Sequence, residues 1–450
     1  MMSLAEAATA MHGRLQGANA RFAGVSTDTR SVGAGELFVA IRGERFDGHD
    51  FLGTAQARSA AGALVDDAFA APAPLPVVVV EDTRRGLGRL GRHWRARFAP
   101  VAIAIAGANG KTTTKEMLVS ILRAHAGEAA VLATRGNLNT DIGVALTVLG
   151  LREAHRYCAV ELGMNHPGEI AWLASIAQPT IALVTNAQRE HMEFMHSVEA
   201  SAEENAHALR ALPATGIAVV NADDGCREAF RAAAGNRRVV DFGLERPAAV
   251  SGGYALKPLS SDIVVRTPSG EARATLALPG LHNVRNALAA AACAHATGVD
   301  AQTIARGLDA FRPYLGRMQA KPARGGATVI DDSYNANPDS VRAAIDVLAA
   351  CPAPTVLVLG DMGEVGEHGP AFHREVGGYA RERGISALYA LGEASRAAAD
   401  AFGAQARHFD SVEALLRGLP RAATVLVKGS RFMRMERVVA ALTGDGGEVL

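Results

Sequence analysis

Residues 101–118 read VAIAIAGANGKTTTKEML: an apolar run of strand type, a glycine turn, and the opening of a helix. A standard phosphate-binding loop carries glycine at position 105, where this chain has Ile105, so only the second half of that pattern, G-K-T, is matched. The physics survives the shortening. Backbone amides around Ala108, Asn109 and Gly110 can point at phosphate oxygens, and Lys111 supplies a point charge. Thr112 opens the helix with a hydroxyl able to ligate magnesium, and Thr113 follows it on the nucleotide side. A magnesium there needs further oxygen ligands at strand ends on the same sheet edge. CAVELGMNH ends a strand at Glu161 and ALVTNAQREH ends another just before His191, which makes both candidates.

Outward from the loop, the apolar strands YCAVEL, IALVTN and GIAVVN alternate with helical stretches that include NALAAAACAHA, the pattern of a parallel sheet covered on both faces. YALKPLSSDIVVRTPSGEARATLAL alternates differently and predicts an antiparallel addition. A third α/β unit begins around Tyr314 to Lys321 and carries the strands ATVIDD, TVLVLG, ALYAL and TVLVKG. Ahead of the loop, GELFVAI (35–41) and VVVV (77–80) read as strands, FLGTAQARSAAGALV as a helix running into a strand, and residues 66–76 as a proline-rich surface loop. GLGRLG (86–91) matches the dinucleotide-binding fingerprint, but it lies several residues past its strand and no acidic residue follows until Glu116. Leu87, Leu90, Trp94 and Phe98 fall at helical intervals instead, so a linking helix closed by Pro100 is the better reading.

The 450 residues exceed one ordinary core, and three domains are expected. Forty-six basic residues balance 46 acidic ones, which removes any whole-chain electrostatic argument for binding nucleic acid or an anionic membrane. Cys158, Cys226, Cys293 and Cys351 form no C-x-x-C pair and read as buried, reduced thiols. The N-terminus has no basic start followed by an apolar core, and no later run reaches membrane-spanning length, so a soluble cytoplasmic protein without membrane insertion is expected.

The segments STDTRSVGAGELFVAIRGERFDGHDF, GNLNTDIGVALTVL, ELGMNHPGEIAWL, LPGLHNVRNALAAAA, DDSYNANPDS, VLGDMGEVG and VLVKGSRFMRME extend over nearly the whole chain. With them the chain resembles the Mur ligases, ATP-dependent amide-forming enzymes of peptidoglycan assembly that use a shortened G-x-N-G-K-T loop. Within that family it is most similar to the members that add D-alanyl-D-alanine to UDP-N-acetylmuramoyl-tripeptide. The resemblance implies an α/β fold of three domains: residues 1–82 binding the UDP substrate, a central P-loop-type parallel-sheet domain over 83–313 binding ATP, and a Rossmann-like ligase domain over 314–450 binding the incoming dipeptide. It implies ATP and Mg2+ as cofactors, two small-molecule substrates, no nucleic acid, and a monomer. Lys111, Glu161 and His191 would be the catalytic set, with Thr112, Glu161 and His191 around the metals. Asn283 and Asn286 match the adenine-side asparagines, Arg317 a nucleotide-binding arginine, and Asp332 the carboxylate near the ribose. Ser26, Thr27, Asp28 and Arg30 match the region that binds the UDP end. Asn137, Tyr334, Asn335, Asn337, Lys428, Ser430 and Arg431 would face the peptide substrates.

Each assignment has a plainer alternative. Asn283 and Asn286 could cap a helix, NPDS could be a turn with a helix start, Lys428 to Arg431 a solvated turn, and Asp28 to Arg30 a surface ion pair. The sibling ligases that add diaminopimelate or lysine, folylpolyglutamate synthase, and a P-loop switch or motor are the rival readings. The D-N-P-R segment of the diaminopimelate-adding enzyme is missing here, and a switch or motor leaves VKGSRFMRME unexplained. One departure from the family stands out. Its lysine, commonly carbamylated into a magnesium-binding carboxylate, has no counterpart in HSVEASAEENAHAL, where Ala202 takes the place. Glu203 or Glu204 is therefore expected to supply the anionic oxygen directly.

Overall fold

Four consecutive valines belong where both faces of a strand are covered, and Val77–Val80 is buried throughout. In the computed structural model, which describes residues 1–444, this strand lies inside a five-stranded sheet. The order is Arg14–Gln16, Val77–Val80, Gly62–Asp66, Leu37–Val39 and Val25–Ser26, parallel except at the Arg14–Gln16 edge. Residues 445–450, the end of the third expected domain, lie outside the described residues.

The GLGRLG segment is helical, inside Thr83–Arg95, with Asp82 capping the first turn by accepting from the Arg85 amide at 2.9 Å. Leu87, Leu90 and Trp94 are buried as the helical spacing requires, and Phe98 meets Trp94 edge-on. Its glycines serve packing: a Cβ on Gly88 would stand 2.5 Å from the Trp172 ring.

The central sheet is parallel, in the order Arg238–Phe242, Ile217–Asn221, Ile181–Val184, Val101–Ala106, Tyr157–Glu161, Val131–Ala133. Strand period two sends Ile103 and Ile105 into one apolar layer with the helices Lys111–Ala126, Leu281–Ala296 and Ala301–Ala310. Ala104 and Ala106 face the opposite layer, formed with Thr83–Arg95, Asp141–Leu149, Glu169–Ala177 and Val198–Arg210. The chain leaves Val101–Ala106 with neighbours reached in opposite directions on its two sides, a switch point that opens a crevice at the strand's C-terminal end. The antiparallel addition is present as Ser251–Leu256, Ser261–Thr267 and Gly270–Leu276.

The third sheet runs Gln319–Pro322, Thr328–Asp332, Thr424–Lys428, Thr355–Gly360, Ala387–Leu391, Ala406–Phe409, parallel except at its first strand. Its two edge strands escape the sequence reading because QAKP and ARHF lack the apolar runs that mark inner strands. Cys158, Cys293 and Cys351 are buried as expected, whereas Cys226 is half-buried at the start of the helix Arg227–Ala234. Burial pushes the Cys158 thiol up to about 12.

Gly307 lies where its helix crosses the helix that follows the phosphate loop, and a Cβ there would collide with the Ile121 backbone. Gly307→Ala is expected to lower unfolding stability by about 1–3 kcal/mol in urea titration, because overpacking outweighs the roughly 1 kcal/mol gain in helix propensity. A stabilised variant would contradict this close approach.

Candidate active site

Gly107 and Gly110 hold φ values of +119° and +82°, which side-chain-bearing residues rarely adopt. These conformations let the chain turn tightly out of Val101–Ala106 and into the helix Lys111–Ala126. No side chain caps that helix, so its leading amides and dipole face the crevice as an anion site. The loop is pinned from behind. The Gly107 amide donates to Asn205 Oδ1 at 2.7 Å, and the Ala108 and Asn109 amides, expected to face phosphate, donate instead to the Asn186 carbonyl and Oδ1, both at 2.9 Å. Lys111 Nζ folds over the loop, donating to the Ala108 carbonyl at 3.0 Å and lying 3.3 Å from Glu190 Oε2.

Two cavities flank the loop, and Asn109, Gly110, Thr113, Arg317 and Lys428 line both. The larger, about 620 Å³, also takes in Ala108, Lys111, Thr112, Glu161, Glu190, His191, Tyr334, Asn335 and Asn337. Glu161 is 2 % exposed; its Oε1 accepts from Thr112 Oγ1 at 3.1 Å and Asn139 Nδ2 at 2.9 Å. Its Oε2 is buried with no partner. An orphaned carboxylate oxygen beside a helix-opening threonine and a phosphate loop fits a magnesium that takes one or two carboxylates and completes its shell with phosphates and water. His191 sits in the left-handed region at φ +46° and brings Nδ1 within 2.7 Å of Glu364 Oε2. The imidazole contact holds the Glu364 carboxyl below the usual range.

The smaller cavity, about 360 Å³, is lined by Asn283, Asn286 and Asp332. Asn286 Nδ2 donates to Asn283 Oδ1 at 3.2 Å, and Asn283 Nδ2 reaches the Pro279 carbonyl at 2.8 Å and His282 Nε2 at 3.0 Å. Burial pushes the His282 imidazole down to about 4, which leaves it neutral and able to accept. Asp332 pairs with Lys428 at 2.5 Å, and Lys428 also donates to the Asn335 carbonyl at 2.8 Å. Burial lowers the ammonium from its ordinary value, against the pull of Asp332. The Arg317 guanidinium lies over the Tyr334 ring at 4.1 Å, and Asn137 reaches the Tyr334 hydroxyl.

Family models match three stretches of the chain. The model for the Mur ligase family catalytic domain matches residues 21–95, the Mur ligase middle domain 105–294, and the Mur ligase glutamate ligase domain 316–431. The chain is 38 % identical to the UDP-N-acetylmuramoyl-tripeptide--D-alanyl-D-alanine ligase of Escherichia coli, over 99 % of both chains. It belongs to the Mur ligase family. The Haemophilus influenzae ligase of the same name is 36 % identical over 93 % of both chains. A solved MurF structure from Acinetobacter baumannii superposes with a TM-score of 0.91 at 33 % identity, covering 99 % of both chains. That likeness extends to the three-domain architecture of the Mur ligase fold.

Several expected site residues of this Mur ligase stand elsewhere. Glu203 is a correction: its side chain is 61 % exposed and paired with Arg210 at 2.7 Å, which holds its carboxyl below the usual range. Glu204 is another, because both its oxygens are used at the start of the helix Glu169–Ala177, accepting from the Gly168 amide at 2.9 Å and the Ile170 amide at 2.8 Å. Neither lines the two cavities, since the helix Val198–Arg210 turns them away from the loop. Ser430 works as a clip, donating to the Ala336 carbonyl at 3.1 Å and accepting from the Gly363 amide at 2.7 Å, and neither it nor Arg431 lines either of these two cavities. Asn337 caps the helix Pro338–Ala349, as the turn reading has it, and also donates to Asn109 Oδ1 at 2.9 Å and lines the larger cavity. Ser26, Thr27, Asp28 and Arg30 stay in the first unit away from both cavities, with Arg30 90 % exposed and paired with Asp28 at 2.7 Å. Sequence reasoning missed Asn139, Glu190 and Glu364, although each lies in GNLNTDIG, ALVTNAQREH or VLGDMGEVG; their burial and partners were the missing information.

Arg189, next to Glu190, ties the central and third units by binding Asp339 at 2.5 Å and Glu375 at 2.7 Å. The arginine holds the Glu375 carboxyl below its usual range. A depressed acid stabilises fully above the unfolded pKa and loses that stabilisation as pH falls through the folded one. Glu375→Gln should therefore cost about 1 kcal/mol near neutrality, and the Tm gap to the unaltered protein should close on acidification. A gap that widens in acid would contradict this assignment.

Proposed function

We propose that this Mur ligase joins D-alanyl-D-alanine to UDP-N-acetylmuramoyl-tripeptide with conversion of ATP to ADP and phosphate, making the pentapeptide precursor of peptidoglycan. The observation that carries the reading is the end-to-end likeness to a ligase of that printed name, coupled to a shortened phosphate loop that opens on two cavities. In the same reading residues 1–82 hold the UDP end, 83–313 hold ATP, and 314–450 bring the dipeptide, in a monomer acting in the cytoplasm. Among the described residues no helix is long and apolar enough to cross a membrane.

A carboxylate does not react with an amine unaided, because its oxygen is a poor leaving group. When bound, ATP supplies the γ-phosphoryl group that turns the tripeptide carboxylate into an acyl phosphate, and Mg2+ offsets the phosphate charge. The chain contributes position and fixed charge. The Gly110 amide and the uncapped first turn of the following helix hold phosphate oxygens, and Lys111 adds a positive charge. Thr112, Glu161 and His191 would hold the metal. Asn283 and Asn286 orient the base from the smaller cavity, Asp332 the ribose, and Arg317 stands where nucleotide and acyl group meet. Lys428, fixed by Asp332 and Asn335, presents a buried positive edge to both cavities. Tyr334, Asn335 and Asn337 shape the wall where the carboxylate and the incoming amine are brought together, and Asn137 reaches the Tyr334 hydroxyl behind it. Enclosure between the central and third units keeps water from the acyl phosphate.

Purified protein should release phosphate from ATP only with both the UDP-linked tripeptide and D-alanyl-D-alanine present, and mass spectrometry should show the product heavier by the condensed dipeptide. Phosphate release indifferent to the dipeptide would overturn the reading. Lys111→Ala should lower kcat by roughly 100- to 1000-fold, the range for removing one preorganised charge-stabilising donor.

A further inference from the structure

Glu190 stands between the interdomain arginine and His191, and the ligase mechanism leaves it without a role. It is 4 % exposed, a depth at which a glutamate is rarely found without fixed partners. Its Oε1 accepts from Ser201 Oγ and Asn205 Nδ2, both at 3.1 Å, from the helix Val198–Arg210. Its Oε2 faces Lys111 at 3.3 Å. The side chain lines the same cavity wall as Thr112, Glu161 and His191.

Ser201 and Asn205 bracket Ala202, which is buried and carries no polar group of its own. The face of the helix turned toward the phosphate loop thus offers two neutral donors, and both are used to position a carboxylate from the strand-end segment. One oxygen of that carboxylate is fixed and the other is aimed at a cation. When the Lys111 ammonium engages a phosphate, Oε2 is left buried and in need of another positive partner. The unpartnered Oε2 of Glu161 on the same wall independently marks the cavity as a cation site.

Resting on the ligase reading, we propose that Glu190 is the anionic ligand of a second Mg2+ in this chain, a permanent carboxylate supplied from the segment before His191 and held by Ser201 and Asn205. The site then needs neither Glu203 nor Glu204, and no carbon dioxide-derived group.

The test is a Mn2+ titration of the full-length protein followed by electron paramagnetic resonance, with a non-hydrolysable ATP analogue present. The unaltered chain should bind a second Mn2+ in buffer stripped of carbon dioxide. Glu190→Gln, which keeps the shape and can still meet Ser201 and Asn205, should weaken that second ion at least tenfold while the first remains. Glu190→Asp, tested alongside, should retain the second ion with reduced affinity, and Glu190→Gln/Ala202→Lys should regain it only when bicarbonate is added. Unchanged second-ion binding in Glu190→Gln, or a bicarbonate requirement in the unaltered chain, would overturn the assignment. Such a result with analogue-dependent binding intact would leave the ligase reading standing; loss of all analogue-dependent Mn2+ binding in the unaltered chain would overturn both.

Discussion

A carboxylate buried at the end of a central strand, with one oxygen bonded and the other without a partner, is the constraint from which the site follows. Glu161 reaches that position because Tyr157–Glu161 pairs with Val101–Ala106 in register, so its side chain emerges level with the start of the phosphate loop. Thr112 and Asn139 fix one oxygen and leave the other toward the cavity. An unpaired buried carboxylate oxygen is unfavourable in an isolated domain, and it becomes sensible when a cation and phosphates complete the surroundings. The two positive-φ glycines of the loop serve the same arrangement by bringing backbone amides to the phosphate side without a side chain in the way.

A second constraint lies in the ties that cross from the central unit to the third. Asn109 meets Asn337, Arg189 meets Asp339 and Glu375, and His191 meets Glu364. Each of these central-unit residues belongs to the phosphate loop or to the strand-end segment that carries Glu190. The position of the third unit is therefore tied to the same short segments that form the phosphate loop and border its cavity. Polar, partly exposed ties of this kind suit an interface that opens to admit substrates and closes to exclude water, since individually they contribute little.

Much of the fold was legible because period-two and buried apolar runs mark inner strands, and because GANGKT between a strand and a helix has few other uses. GLGRLG shows the same logic working against a motif: the spacing of Leu87, Leu90 and Trp94 outweighed the letters. Short edge strands such as Gln319–Pro322 were illegible, since half-exposed strands carry no apolar signal. In the site, residues fixed by local chain geometry, Lys111 and Thr112, were readable. Residues defined by long-range burial were not. Glu203 and Glu204 looked suitable by charge and position, but helix phase sends one to solvent and the other to cap a neighbouring helix. The carboxylate that faces the loop is Glu190, one residue before His191, and only the packing of Ser201 and Asn205 against it sets it apart from a surface acid.

The chemistry at stake is whether this cavity activates a carboxylate by phosphorylation before an amine attacks it, and the most direct test follows oxygen. With the terminal carboxylate of the UDP-linked tripeptide labelled with heavy oxygen, turnover with ATP and D-alanyl-D-alanine should place one labelled oxygen in the released phosphate, read by mass spectrometry. Phosphate carrying no label, with product still formed, would contradict an acyl phosphate and with it the roles of the loop, Lys111 and the cavity around Glu161.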